Sequence, residues 1–372
     1  MNLKKRKIGV ALSGGGIRAT IYHLGVLRWL AENGLMESVA YVSSVSGGSL
    51  CVGLIYAHND KKWPSSRQYL EEVLPKIEEV IMGNDIQTSA LLRMFPFWVH
   101  RKVNLLAKVI GKKWGVDGNM ADIGEDPIWC ANCTTYETGK RFGITQNRMG
   151  DIIIGHTENH DLPISDAMAA SAGFPILIGP YALRRDRYSW SASGIEPRTL
   201  ASDRRVPNGR HFNLWDGGVY DNLGLEAFFH ISDNPSGGHF SKGIDYIVVS
   251  NAGRPSSFKR RGFYSSPRRL LDIAMDQVGA LRVRSITSHI RQKSNGLYLQ
   301  IGSSASRILQ NSTLSQADIK QIITECLPEH QVSLAKNYRT TLRRPSHPDF
   351  HIILRHGYEV ARCVHLAASH MA

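Results

Sequence analysis

Two periodicities alternate along the first 57 residues. Residues 8–12 (IGVAL) form a short unbroken apolar run, the pattern of a buried strand. Residues 17–33 follow with Ile21, Leu24, Leu27 and Leu30 on one stripe, which predicts a helix stopped at Asn33-Gly34. Residues 39–45 (VAYVSSV) predict a second strand, and residues 47–57 continue as an apolar helix. Strand, helix, strand, helix implies parallel strands with helices packed outside them.

Residues 58 to about 125 break this rhythm. Residues 86–115 contain no acid, but carry Arg93, Arg101, Lys102, Lys108, Lys112 and Lys113 among Phe95, Phe97, Trp98 and Trp114. Such a stretch fits a lid, or an interfacial segment with its aromatics in a headgroup layer. Strand patterns resume around DPIWCANCTTY and KRFGITQNRMGDIIIG, followed by a helical ISDAMAASAGFPILIGP and a basic polar loop over 184–210. HFNLWDGGVYDNLGLEAF reads as strand, tight turn and helix, and IDYIVVSNAG as a buried strand. Residues 265–293 predict a long helix with Leu270, Leu271, Ala274, Val278, Leu281 and Ile286 apolar. A late strand (GLYLQIGS) and helices over 332–342 and 358–367 finish the chain. No internal repeat or long linker divides it, so one α/β domain is expected over 1–372.

Composition is that of a folded protein, with 42% hydrophobic and 21% charged residues. Lys and Arg total 45 against 32 Asp and Glu, a net charge of +13. That excess favours an anionic partner, either nucleic acid or acidic lipid. No zinc finger, RNA-binding signature or helix-turn-helix is present, which argues against nucleic acid. The basic N-terminus precedes too short an apolar run for a signal peptide, and no run is long enough to span a bilayer. The expected location is cytoplasmic, with peripheral association with the inner face of the membrane. Five cysteines at irregular spacing suggest no disulfide framework, and Cys130-Ala-Asn-Cys133 lacks a second ligand pair for zinc.

Three stretches carry candidate chemistry. Gly14, Gly15 and Gly16 lie between a strand and a helix N-terminus, where backbone N–H groups favour negative charge. The continuation Ile17-Arg18-Ala19 excludes a Walker loop, and the second strand ends in serines rather than the acid of a dinucleotide fold. Ser46 follows a strand, precedes a helix and is trailed by Gly47-Gly48, the setting of a nucleophile elbow. Serine replaces the usual leading glycine at position 44, and Ser43, Ser44 and Ser49 are rivals. Asp216, before the tight turn Gly217-Gly218, is the candidate base. A Ser-His-Asp triad would draw on His230, His239 or His289, none clearly placed in a loop after a strand. His23 reads as a packed or surface residue, and His156 and His160 lack a third metal ligand.

In this order SGGGIR, SVSGG and DGG, with AASAGFPILIGP between the last two and LRHGYEVA near the end, resemble the patatin-like phospholipases. The resemblance runs from about residue 8 to 367, matching weakly over 58–125 and 184–210. Ser44 and Ser13 depart from the family's usual residues. The resemblance implies a three-layer α/β/α fold with a central, mostly parallel sheet and the 58–125 stretch as a basic aromatic insertion or lid. It implies a serine lipid acyl hydrolase in which Ser46 attacks and Asp216 takes its proton. Gly14, Gly15 and Gly16 would form the oxyanion hole, Arg18 would hold that loop, and Gly48, Gly217 and Gly218 would support the turns. No metal or other cofactor is expected. The substrate would be a phospholipid or lysophospholipid on an anionic membrane, with the oligomeric state open. An acyltransferase, a signal-activated membrane-degrading effector and a non-catalytic lipid-binding module remain alternatives.

Overall fold

The computed structural model describes residues 3–93, 101–173, 179–191, 209–230, 239–240, 243–253 and 266–370. Twelve strands are described: β1 (Ile8–Leu12), β2 (Val39–Val45), β3 (Ile128–Thr135), β4 (Arg141–Ile144), β5 (Arg148–Asp151), β6 (Gly155–Glu158), β7 (Tyr181–Arg184), β8 (His211–Asp216), β9 (Phe229–His230), β10 (His239–Phe240), β11 (Tyr246–Asn251) and β12 (Gly296–Gln300). Ten of them make one mixed sheet, in the order β12-β11-β1-β2-β3-β4-β5-β6, with β8 pairing β3 and β7. The five strands from β12 to β3 run parallel. From β3 outwards the pairing is antiparallel.

β1, the central strand of the parallel half, is wholly buried. Its neighbours β2 and β11 therefore carry apolar residues on both faces, as strands covered by helices on each side do. Helix α1 (Gly16–Glu32) returns from β1, and helix α2 (Gly47–Ala57) from β2. The C-terminal helix, His347–Ser369, crosses α1 at two glycines. A Cβ on Gly25 would lie 1.9 Å from the Leu354 carbonyl oxygen, and one on Gly357 2.1 Å from that of Tyr22. Only bare backbone permits so close an approach.

Two C-terminal expectations shift. The helix placed at 332–342 spans Glu329–Asn337, because the chain after it turns to pack on the glycine loop. The last helix starts at His347 rather than 358, where the Ser346 side chain accepts the Asp349 N–H as an N-cap and proline fills the first turn.

The 58–125 stretch forms helices over Leu74–Gly83, Ile86–Arg93 and Lys102–Trp114. The last buries Val103, Leu106, Val109, Ile110 and Trp114 against the helix Ile164–Ser171. Asn104 ties it to β7, exchanging hydrogen bonds of 3.1 and 3.0 Å with the Ala182 backbone. Its apolar stripe belongs to the core; Phe95, Phe97 and Trp98 lie outside the described residues. Among the described residues, no helix is long and apolar enough to cross a membrane.

Candidate active site

Ser46 and Asp216 are brought together by the register of one strand edge. β4 pairs with β3 over Ala131–Thr134, so it occupies one edge of β3. On the other edge β2 pairs up to Val45↔Asn132, then leaves the sheet. β8 takes up that edge antiparallel, with Asp216 opposite Cys133. The end of β2 and the end of β8 therefore meet head to head, opposite successive residues of β3. Ser46 follows Val45 and Asp216 closes β8, so the two side chains face each other. The Ser46 hydroxyl is close enough to act on the Asp216 carboxyl as a hydrogen-bond partner.

Ser46 sits in the elbow that its neighbours predict. Its φ of 51° and ψ of −115° are rarely occupied by a residue with a Cβ. The glycines after it have a steric reason: a Cβ on Gly47 would lie 2.3 Å from the Gly16 carbonyl oxygen, and one on Gly48 2.3 Å from that of Leu12. The elbow is thereby pressed onto the glycine loop.

A directed chain of hydrogen bonds holds it there. Trp129 Nε1–H donates to Ser44 Oγ at 2.8 Å. Ser44 Oγ lies 2.8 Å from Ser49 Oγ, which lies 2.8 Å from Ser171 Oγ. Ser171 Oγ donates to the Asn132 carbonyl at 2.7 Å. Indole N–H only donates and a carbonyl only accepts, so every hydroxyl in between points the same way. Ser171, its one hydrogen spent, also accepts the Ser46 N–H at 3.0 Å. Ser44 and Ser49 are fully buried links in this chain. Ser43 is buried too and bonds the Gly224 carbonyl. Of the four serines, only Ser46 has its hydroxyl against a carboxylate. Ser44, in place of the usual glycine, turns its extra atoms into part of the scaffold.

Asp216 is buried, and loss of hydration raises its pKa from 3.8 to about 6. Hydrogen bonds from the Gly218 N–H, at 2.7 Å, and from Ser46 pull the other way but do not overcome burial. Its backbone is fixed by its N–H to the Gly173 carbonyl (2.9 Å) and by Thr134 Oγ1 on its own carbonyl (3.1 Å). Gly217 cannot be larger, since a Cβ there would lie 2.3 Å from the Asn132 carbonyl oxygen.

The glycine loop stands against Ser46: a Cβ on Gly14 would lie 3.2 Å from Ser46 Cβ. The Gly14 N–H is engaged, donating to the Asn222 carbonyl at 3.1 Å. Gly15 and Gly16, with φ of 148° and 63°, open α1 and supply its first N–H groups. The Ile17 N–H behind them donates to the Thr341 carbonyl at 2.8 Å. Arg18, wholly buried, donates to the carbonyls of Tyr338 (2.6 Å) and Ala252 (3.0 Å), tying the loop to the exit of β11 and to the C-terminal turn. Ser13 adds to this by accepting the Ala252 N–H at 2.8 Å.

Among the described residues, neither Ser46 nor Asp216 has a histidine partner. His23 is packed behind the loop, with Nε2 2.8 Å from the Ser13 carbonyl and Nδ1 2.7 Å from Ser250 Oγ. Burial lowers its pKa to about 4, so it stays neutral, with its Nε2–H donating to the carbonyl. His289 packs on Phe229 and Phe240 and bonds Asn295. The five cysteines are buried free thiols. Glu78, His347 and His351 gather one possible metal-ligand atom each within 4.8 Å on the surface, apart from the dyad elements. Ser171, Asn132 and Asn222 escaped the sequence reading as site residues. Ser171 lies in the AASAGFP block, which was legible as a motif but not as an anchor for the elbow.

A family model described as patatin-like phospholipase matches residues 10–229. The chain is 46% identical over 52 residues to mouse (Mus musculus) cytosolic phospholipase A2 gamma, which covers 14% of this chain and 9% of the relative. It is 43% identical over 56 residues to mouse cytosolic phospholipase A2 zeta, covering 15% of this chain and 6% of that protein. The chain thus matches under a tenth of the length of these relatives. Its fold resembles that of human GIVD cytosolic phospholipase A2, with a TM-score of 0.54 at 13% identity, over 99% of this chain and 61% of that one. The matched region begins in β1, contains the glycine loop, Ser46 and Asp216, and ends in β9: the chain belongs to the patatin-like phospholipase family, a family of lipid acyl hydrolases.

Proposed function

We propose that the protein is a serine lipid acyl hydrolase of the phospholipase A or lysophospholipase type, working through a Ser46–Asp216 dyad. Ser46 Oγ attacks the ester carbonyl while Asp216 accepts its proton directly. The acyl group passes to Ser46, the lysolipid or glycerophosphodiester product leaves with the returned proton, and water activated by Asp216 releases the fatty acid. As the serine attacks, negative charge develops on the carbonyl oxygen. The N–H groups of Gly15 and Gly16 at the positive end of α1 stabilise it, and fixed donors of this kind contribute about 2.7–4 kcal/mol each. Gly14, its own N–H engaged by Asn222, shapes the loop, and Arg18 positions it.

The observation that carries this reading is the pairing of a serine held at a strained positive φ with a buried carboxylate whose pKa is about 6. Such a carboxylate is still ionised at neutral pH and yet more basic than one in water. The substrate is a phospholipid or lysophospholipid, and the net charge of +13 favours its presentation on an anionic membrane surface. Incubation of phospholipids with the wild type and with Ser46→Ala, followed by mass spectrometry of the lipids, tests this. Free fatty acid and lysolipid are expected from the wild type alone. Equal release by both proteins contradicts the proposal.

A further inference from the structure

The helix Ser266–Lys293, between β11 and β12, is too long for the connection it makes. Its 28 residues span about 42 Å, whereas the six residues of β11 span about 20 Å. The part that packs on the body is the second half. Ile286 and His289 are buried, and Val283 and Ile290 rest on the cluster of Phe228, Phe229 and Ile247. Arg282 marks the boundary. It pairs with Asp221 (3.5 Å) and Glu226 (2.9 Å), in the loop that begins at the Asp216 turn. β11 runs parallel to β1 and β2, so it leaves the sheet at the same end as the glycine loop and Ser46. Ala252, one residue beyond β11, touches Ser13 and Arg18. The 16 residues before Arg282 therefore extend about 24 Å past the active-site edge.

This projecting half shows an apolar face. Leu270 is 70% exposed, Leu281 60%, Ile273 42% and Val278 39%. With exposed Ala274 they recur every three or four residues, on one side of the helix. Exposed Arg284 and Arg291 continue the same side toward the body. In sequence, residues 254–265 just before this helix hold Arg254, Lys259, Arg260 and Arg261 and no acid, and the arm's own acids, Asp272 and Asp276, fall on the helix away from the stripe. An apolar stripe continued by exposed Arg284 and Arg291 is complementary to an anionic phospholipid surface: the acyl region takes the leucines and the headgroups take these two arginines. We infer that the helix segment 266–281 is an arm that docks on anionic phospholipid, holding the active-site edge against the interface from which substrate is drawn.

This rests on the proposed lipid hydrolase activity, and the test keeps the two apart. Binding is read with Ser46→Ala protein, which consumes no lipid, on sedimented phosphatidylcholine vesicles with and without phosphatidylserine. Turnover is read on a short soluble ester with Ser46 intact. Adding Leu270→Glu and Leu281→Glu is expected to lower binding to the phosphatidylserine vesicles about tenfold or more. Hydrolysis of the soluble ester should stay within about twofold, which also reports an intact fold. Unchanged vesicle binding overturns the arm, whatever the turnover. A wild type without esterase activity but with arm-dependent binding removes the hydrolase and leaves the arm. A bimane label on Ile273→Cys gives a second reading, because the five native cysteines are buried. A blue shift on adding vesicles is expected, and unchanged emission overturns the arm. If the two glutamates instead split a dimer in sedimentation velocity and leave vesicle binding intact, the stripe is a contact between copies of this chain and the lipid assignment falls.

Discussion

The active-site edge of the sheet and the projecting half of the long helix meet at Arg282, and they are built on opposite terms. At the edge the elbow is tied down by hydrogen bonds: three serines, an indole and a carbonyl form one directed chain, and glycine Cα atoms press on neighbouring carbonyls. That rigidity holds Ser46 at a positive φ and keeps a carboxylate out of water, two features that are unfavourable in isolation. In the arm, leucines remain in water with nothing of the described chain over them. Strain and buried charge at the edge serve a reaction on single ester bonds. Exposed apolar surface in the arm fits the proposed encounter with aggregated lipid.

The sharpest way to break this contrast is to remove the dyad. Ser46→Ala and Asp216→Asn are each expected to lower kcat by about 10³–10⁶-fold on soluble esters and on vesicles alike. A loss confined to vesicles would move Ser46 and Asp216 from the chemistry to the docking. Next in size is the scaffold of the elbow. Gly48→Ala forces a methyl group to 2.3 Å from the Leu12 carbonyl oxygen and is expected to cost about 1–3 kcal/mol in urea unfolding, with activity lost on both substrates. An alanine there with unchanged midpoint and turnover would show that the loop contact does not hold the serine.

The pH dependence sharpens the comparison further. Asp216 must be ionised to accept a proton, so kcat/KM on the soluble ester should fall about tenfold per pH unit below its pKa of about 6. The stability consequence has the opposite sign. With its folded pKa raised from 3.8 to about 6, Asp216 holds its proton more tightly folded than unfolded, so stability falls as pH rises through that window. At neutral pH the buried charge costs about 3 kcal/mol at most. Asp216→Asn should therefore raise the thermal midpoint at pH 7.5, with the gain gone below pH 4. A destabilised variant at neutral pH contradicts the burial argument. The smallest effect concerns strain: Ser46→Gly should be more stable than Ser46→Ala by about 1 kcal/mol, since only glycine is at ease at φ 51°. Equal midpoints would mean that the elbow is relaxed.

The parts of this molecule with short-range causes were readable from sequence. The first two strand–helix units, the glycine loop, the elbow and the Asp-Gly-Gly turn each have local requirements written into a few consecutive residues. Contacts between distant segments were not. Gly14's N–H is taken by Asn222, and the glycine loop is backed by Thr341 and Tyr338, residues more than 200 and 300 positions away. Nothing in the local sequence marks those partners. Two helical apolar stripes make the point. In the basic helix Lys102–Trp114, Val103, Leu106 and Ile110 are core residues. The stripe Leu270, Val278, Leu281 has the same periodicity, yet lies in solvent. A helical apolar stripe records that something covers it, and only tertiary packing says whether that is the protein itself.

The central claim, that Asp216 takes the Ser46 proton, is tested most directly by the rate at which a fluorophosphonate ester labels the protein across pH 4–8. The expected result is a single adduct on Ser46 by peptide mass spectrometry, a labelling rate that climbs with pH and levels above about 6, and near-complete loss of labelling in Asp216→Asn. An adduct on another residue, or a rate in Asp216→Asn equal to that of the wild type, would contradict it.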